Sequence, residues 1–294
     1  VDWVEQVRSL NVDVGSGRRA PYKQLLLLWM IGRVKGGEPA RISFRDAEEP
    51  LKELMNRFSL GKQAEPKLPF VHLAANPELW TVEDSNGSNV YEMARSQRRK
   101  MGFLREEVVG ELSTDFVVAL DEPKVFESVV TALLQTDFPE TTHQGILDEV
   151  NLSGRVLPKP AGRDPHFRKT VMLAYEFRCA FCGYDGRINN RPVGIQAAHV
   201  KMHSKGGPDD VSNGIALCSL HHLLFDSGVL SLSDEVEILV SQYFLESDYG
   251  TPSAVMKLIG QLMRHPQPGY DLPAAEFLRW HRENLFVEPA RKRD

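Results

Sequence analysis

Apolar and polar positions along the chain follow two periods, one helical and one alternating. The N-terminal VDWVEQVRSL reads as a short amphipathic helix. The longest apolar stretch, LLLLWMIG at 25–32, is too short to span a bilayer and predicts a buried helix through YKQLLLLWMIGRV. Pro21 stands at the start of that helix, where a backbone N–H is not needed. DAEEPLKELMNRFSL, with Pro50 near its first turn, predicts another helix, and so do EPKVFESVVTALLQTDF, FRKTVMLAYEF and AAEFLRWHRENLF. LPFVHL and ELWTVED, around AANP, read as short strands, and VEILVSQYF as a third. Helices and strands are mixed along the chain, and an α+β class is expected.

Residues 153–165, SGRVLPKPAGRDP, hold three prolines and two glycines with almost no apolar periodicity, and form the best linker. A length of 294 residues also favours two domains. The expected division is 1–152, a linker at 153–165, and 166–294.

With 42% hydrophobic and 26% charged residues, the composition is that of an ordinary globular protein. No apolar run reaches the length of a membrane helix, and the N-terminus lacks a signal-peptide layout, so no membrane partner and a cytoplasmic location are expected. The net charge of −5 is unevenly spread. Residues 1–105 carry 17 Lys/Arg against 13 Asp/Glu, residues 106–150 one against 11, and residues 151–294 17 against 16. The basic first segment suits a polyanion partner, although solvated faces of alternating sign would give the same count.

The three cysteines, Cys179, Cys182 and Cys218, include a C-x-x-C pair, which argues for metal rather than a disulfide framework. Cys218 and His221 form a C-x-x-H pair. The two pairs together offer four soft ligands for a tetrahedral Zn²⁺, and a closed set of four protein ligands is structural. Between them lie His199 in QAAHV and Asn213 in SNGIALC, and His222 directly follows His221. Adjacent helix positions point about 100° apart, so His221 and His222 have different tasks.

CAFC, AAHV, the SKGG turn, SNGIALC, HH and FDSG, over residues 175–230, resemble the HNH (ββα-metal) nuclease family. The resemblance implies two strands and a helix. His199, at the end of the first strand, is the general base. Asn213, at the start of the helix, positions that base. His222 ligates a catalytic Mg²⁺ or Mn²⁺, with Asn213 or Asp226 as the second ligand. Asp226 lies four residues past His222, on the same helix face. Many HNH nucleases have Asp immediately before the base; here that residue is Ala198, which leaves the second ligand open. Imidazole titrates near neutral pH and suits the base role. His203 reads as a surface or phosphate-contacting residue, with Lys201 and Lys205 suited to backbone phosphates. His166 and His265 have no motif around them, and His281 reads as a packing residue.

In the N-terminal part, APYK opening a leucine-rich helix, then PF..L and P..LW, then GF..EV at 102–108, resemble the DNA sulfur-binding domain. That domain precedes HNH modules in phosphorothioate-dependent (type IV, McrA-like) restriction endonucleases. The resemblance implies a mostly helical α/β DNA-binding domain that recognises double-stranded DNA with sulfur in place of one non-bridging phosphate oxygen. Sulfur is poorly hydrated, so an apolar pocket prefers it to oxygen. Pro21, Tyr22, Pro69 and Phe70 are candidate walls, Arg18, Arg19 and Lys23 candidate backbone contacts, and His72 lies at the margin. Arg95, Gln97, Arg98 and Arg99 suit base or phosphate contacts. Trp80 is expected in the core.

The expected activity is therefore cleavage of phosphodiesters near a phosphorothioate, with zinc as a structural ion. An HNH enzyme reading another mark, such as 5-methylcytosine, and a non-catalytic zinc-containing DNA-binding protein are the alternatives. A homodimer is left open.

Overall fold

The computed structural model describes residues 1–10, 21–58, 65–84, 89, 91, 108–156, 165–246 and 254–292. The described residues up to 156 form one compact unit and those from 165 onward a second. Each has its own apolar core.

In the first unit, α1 (Trp3–Arg8) starts at Asp2, whose carboxylate accepts the N–H groups of Val4 and Glu5. α2 (Tyr22–Lys35) buries Leu25 to Leu28, Met30 and Ile31. A helix that is apolar all round belongs at the centre of a core. β1 (Arg41–Ser43) leads directly into α3 (Phe44–Phe58). Ser43 Oγ accepts the Asp46 N–H, so the helix starts early enough to leave Pro50 inside it, beyond the expected first turn.

LPFVHL is not a strand: Lys67–His72 form α4. The apolar content of the segment suited either structure. Pro66 precedes the helix and Pro69 falls in its first turn, where a proline removes no helical hydrogen bond. β2 (Trp80–Glu83) and β3 (Val109–Leu112) complete an antiparallel sheet in the order β1-β3-β2. Gly110 of β3 is covered by the Trp80 ring, and an added Cβ would lie 1.9 Å from its Cζ2. α5 (Thr114–Ala119), α6 (Pro123–Asp137) and α7 (Glu140–Glu149) follow. Residues 153–156, expected in the linker, end this unit: Ser153 and Val156 form a bridge and Val156 is buried in the first core. Residues 157–164 lie outside the described residues.

The second unit opens with α8 (Pro165–Ala174). A small hairpin, β4 (Arg187–Ile188) and β5 (Arg191–Pro192), turns at Asn189 and Asn190, both at positive φ, a conformation asparagine tolerates. β6 (Ile195–His199) and β7 (Gly214–Cys218) pair antiparallel, His199 opposite Gly214, and α9 (Ser219–Asp226) follows without a break. This is a ββα unit. β8 (Leu230–Leu232), β9 (Ile238–Val240) and α10 (Ala275–Asn284) pack behind it.

Two neighbours fix the ββα unit. A Cβ on Gly214 would meet Val171 Cγ2 and the Phe167 ring, so α8 lies against the hairpin face that His199 shares. His281 of α10 is fully buried behind α9, stacked on Phe225 at 3.7 Å. Its Nε2 donates to the Phe225 carbonyl, and its Nδ1 is 2.9 Å from the Ser231 hydroxyl. Both ring nitrogens are satisfied with a neutral ring, and burial pushes its pKa down to about 3.

Candidate active site and metal centre

Cys179, Cys182, Cys218 and His221 converge, with their ligand atoms all within 4.8 Å of one another. The C-x-x-C turn closes through Gly183 at φ +74, whose N–H donates to the Cys179 carbonyl, and the Ala180 N–H ties the turn to Ala216 of β7. His221 Nδ1 lies 3.4 Å from Cys179 Sγ and 3.3 Å from Cys218 Sγ. Tetrahedral zinc, with bonds of ~2.3 Å to sulfur and ~2.0 Å to nitrogen, puts S and N about 3.5 Å apart. The geometry and the soft donor set therefore fit Zn²⁺.

The four side chains contest their protons. Contact with Cys182 and Cys218 pushes the Cys179 thiol up, and contact with Cys179 and Cys182 pushes the Cys218 thiol down. Burial works against charge on His221, but Cys182 and Cys218 outweigh it and push the ring up to about 9. Crowded sulfurs that compete for protons in this way are relieved by a shared dication.

His222, one residue on, turns to a different set of partners. Its Nδ1 is 2.6 Å from Gln196 Oε1 and its Nε2 is 3.4 Å from Asp226 Oδ2. Gln196 Oε1 can only accept, so Nδ1 carries the proton and Nε2 the lone pair, beside Asp226. Two adjacent ligands of an octahedral ion at ~2.1 Å stand about 3 Å apart, so this pair fits one hard divalent cation. Gln196 orients the His222 ring from behind. Ala198, where the resemblance would place an acidic ligand, is fully buried.

His199 has other neighbours. Its Nε2 is 2.7 Å from Asp209 Oδ1, and its ring stacks on Phe167 at 4.1 Å with 13° between planes. Alternation along β6 puts His199 and Gln196 on opposite faces of the hairpin. His199 and His222 thus approach it from opposite sides instead of facing one another directly.

Asn213 departs from expectation in position. It ends a 3₁₀ turn, Val211–Asn213, and immediately precedes β7, so it is not at the start of the helix. Its Oδ1 accepts the Lys201 N–H at 2.8 Å, and its Nδ2 donates to the carbonyls of Lys201 and Pro208, both at 3.0 Å. The fully buried amide is occupied by backbone and brackets the loop after His199. In this arrangement the amide faces backbone atoms and not the rings of His199 or His222. His203 is exposed, 4.0 Å from Asp209, and His166 and His265 are exposed. Lys201 and Lys205 are half-buried on the bracketed loop.

In the first unit, Pro21 is buried and Tyr22 and Lys23 are half-buried at the start of α2. α4, which packs against α2, carries buried Pro69 and half-buried His72. Phe70 cannot line a surface pocket as it stands: it is fully buried, edge-on to both Phe44 and Trp80. Trp80 is equally buried and donates its indole N–H to the Phe70 carbonyl. Arg18, Arg19, Arg95, Gln97, Arg98 and Arg99 lie outside the described residues.

Sequence reasoning missed Asp209, Gln196 and Phe167. Asp209 sits in a GGPDD run ten residues after His199, and Gln196 three residues before it, both visible but unmarked. Nothing in the sequence pairs Phe167 with His199. No helix among the described residues is long and apolar enough to cross a membrane.

Residues 2–155 match the family profile of the ScoMcrA-like DNA sulfur-binding domain, and residues 179–233 match that of HNH endonucleases. A comparison with curated proteins gives no match. Among solved structures, the chain is similar to the sulfur-binding domain of SprMcrA complexed with phosphorothioated DNA. Identity there is 26% over 52% of this chain and 94% of that one, with a TM-score of 0.45. Similarity to the sulfur-binding domain of ScoMcrA, complexed with phosphorothioated DNA, is 18% identity over 52% and 96% of the two chains (TM-score 0.39). The modification-dependent restriction endonuclease TagI shares 26% identity over 43% of this chain and 40% of its own (TM-score 0.32). The first profile spans more than half of the 294 residues: the chain belongs to the ScoMcrA-like DNA sulfur-binding domain family and carries an HNH endonuclease domain behind it.

Proposed function

We propose that this chain is a modification-dependent DNA endonuclease. Its first unit holds double-stranded DNA at a phosphorothioate, and its ββα unit hydrolyses a phosphodiester nearby. The observation that carries this reading is the presence in one chain of a sulfur-binding-family unit and an HNH hairpin-helix bearing His199 beside Asp209 and His222 beside Asp226.

Hydrolysis needs a base for water and positive charge for the pentavalent phosphate. His199 is the base. His222 Nε2 and Asp226 would hold the divalent cation, Mg²⁺ or Mn²⁺, which supplies charge stabilisation at the phosphate. His199 and Gln196, which backs His222, both lie on β6 and point to opposite faces of the hairpin, so a phosphate lying along that strand is reached from both. The Cys179–Cys182–Cys218–His221 zinc is structural and fixes the start of α9. In the first unit, the α2 start (Pro21, Tyr22, Lys23) and α4 (Pro69, His72) form the sulfur contact, with Arg18, Arg19, Arg95, Gln97, Arg98 and Arg99 on the DNA. Poor hydration of sulfur favours such apolar surroundings over an ordinary phosphate oxygen. A DNA substrate places the activity in the cytoplasm.

The test is binding to matched duplexes with and without a single phosphorothioate, followed by cleavage with Mn²⁺. Tighter binding to the sulfur duplex and cleavage close to it are expected; equal binding to both overturns the recognition half.

A further inference from the structure

We propose that Asp209 is the positioning residue for His199, and that Asn213 acts on the base only through it. The catalytic half of this inference rests on the nuclease reading above; the structural half does not.

The chain leaves β6 at His199, loops through 200–208 and returns at Asp209. Asn213 clamps both ends of that loop, at the Lys201 N–H and carbonyl and at the Pro208 carbonyl. The clamp leaves room only for glycine at 207, where an added Cβ would lie 2.0 Å from the Lys201 oxygen. The second clamped carbonyl belongs to the residue immediately before Asp209. The carboxylate is thus delivered from anchored backbone, and its Oδ1 meets His199 Nε2 at 2.7 Å. The two side chains are only 11% and 20% exposed, so this is a shielded pair and not a surface ion pair. Phe167, stacked on the imidazole, fixes the plane of the ring, and Asp209 fixes its rotation within that plane. His203 also faces the pair, 5.9 Å from the His199 ring between centroids and 4.0 Å from Asp209 Oδ2.

A carboxylate can only accept, so it selects the tautomer with the proton on Nε2. Nδ1 then carries the lone pair and takes the proton from water. In that step the water O–H bond breaks, the new O–P bond forms and the bond from phosphorus to the leaving oxygen breaks. The leaving oxygen takes its proton from solvent. The imidazolium formed is stabilised by the ionised Asp209, as in other histidine–carboxylate pairs.

The deciding variant is Asp209→Asn, which keeps the shape but removes the charge and can turn an NH2 donor toward Nε2, so that the Nε2–H tautomer is no longer enforced. With phosphorothioated duplex and Mn²⁺, kcat should fall about 10²-fold, within the usual range for impaired general-base catalysis. KM and DNA affinity should stay within about twofold, because Asp209 does not touch the substrate. The acid limb of the pH–rate profile should move to lower pH, and Asp209→Glu should recover part of the rate. Unchanged kcat and an unchanged pH profile in Asp209→Asn overturn the inference. Nitrogen-15 NMR of the His199 ring supplies a readout independent of cleavage: the wild type should show the Nε2–H tautomer, and Asp209→Asn should lose that preference. If the wild type cuts no DNA, the nuclease reading fails and the NMR measurement decides Asp209 alone. An Nδ1–H tautomer in the wild type contradicts the inference.

Discussion

Replacing Asn213 by Asp separates the two roles that an asparagine at this position can have. As a metal ligand, a carboxylate would serve as well or better. As a bracket, it fails. Both Nδ2 donors, to the carbonyls of Lys201 and Pro208 at 3.0 Å, are replaced by an acceptor oxygen. The site is fully buried, so no water takes their place. Each lost hydrogen bond is worth about 1–1.5 kcal/mol, and an orphaned buried acceptor adds to that, so a loss of about 3 kcal/mol is the minimum. For a unit of this size, ~3 kcal/mol corresponds to a fall of about 10 °C in the midpoint of unfolding. Scanning calorimetry of the zinc-loaded chain measures it, and cleavage of phosphorothioated DNA should collapse in parallel because Asp209 is no longer held. An Asn213→Asp protein that melts with the wild type and cuts with equal or better metal affinity would refute the reasoning and restore Asn213 as a ligand.

Removing zinc with a strong chelator, or replacing Cys218 by Ser, should unfold the second unit and leave the first able to bind sulfur-modified duplex; one zinc per chain by mass spectrometry accompanies the native state. His222→Ala and Asp226→Ala should each abolish metal-dependent cutting without changing DNA affinity or zinc content, as read by titration calorimetry with Mn²⁺. Gly110→Ala forces a methyl into the Trp80 ring and should destabilise the first unit by about 1–3 kcal/mol, weakening DNA binding while calorimetry shows the second unit unaffected. His281, pushed down to about 3 when folded, titrates at its ordinary value near 6.5 once unfolded, so its contribution is complete above pH 6.5 and is lost as pH falls toward 3. That loss runs at about 1.4 kcal/mol per pH unit. Denaturant melts between pH 7 and 5 should show this slope, and His281→Phe should flatten it.

The convergence of Cys179, Cys182, Cys218 and His221 was legible because its chemistry is local: C-x-x-C and C-x-x-H pairs carry their own geometry, and adjacent histidines on a helix must diverge. α2 was legible because eight nearly uninterrupted apolar residues leave few alternatives to a buried helix. The reading failed where tertiary context chose between local options. LPFVHL became α4 because its prolines fall where a helix tolerates them. Phe70 turned inward to meet Trp80. Asn213 looked catalytic because of its motif, yet its partners are backbone atoms fixed by the loop closure. Asp209 was invisible as a partner because only the return of that loop brings it to His199.

The most direct test of the account is cleavage of two plasmids of identical sequence, one phosphorothioated and one not, by the zinc-loaded wild type and His199→Ala in Mn²⁺. Cuts close to the sulfur are expected in the modified plasmid only and from the wild type only, with both proteins binding modified DNA equally. Equal cutting of both plasmids, or full cutting by His199→Ala, would contradict it.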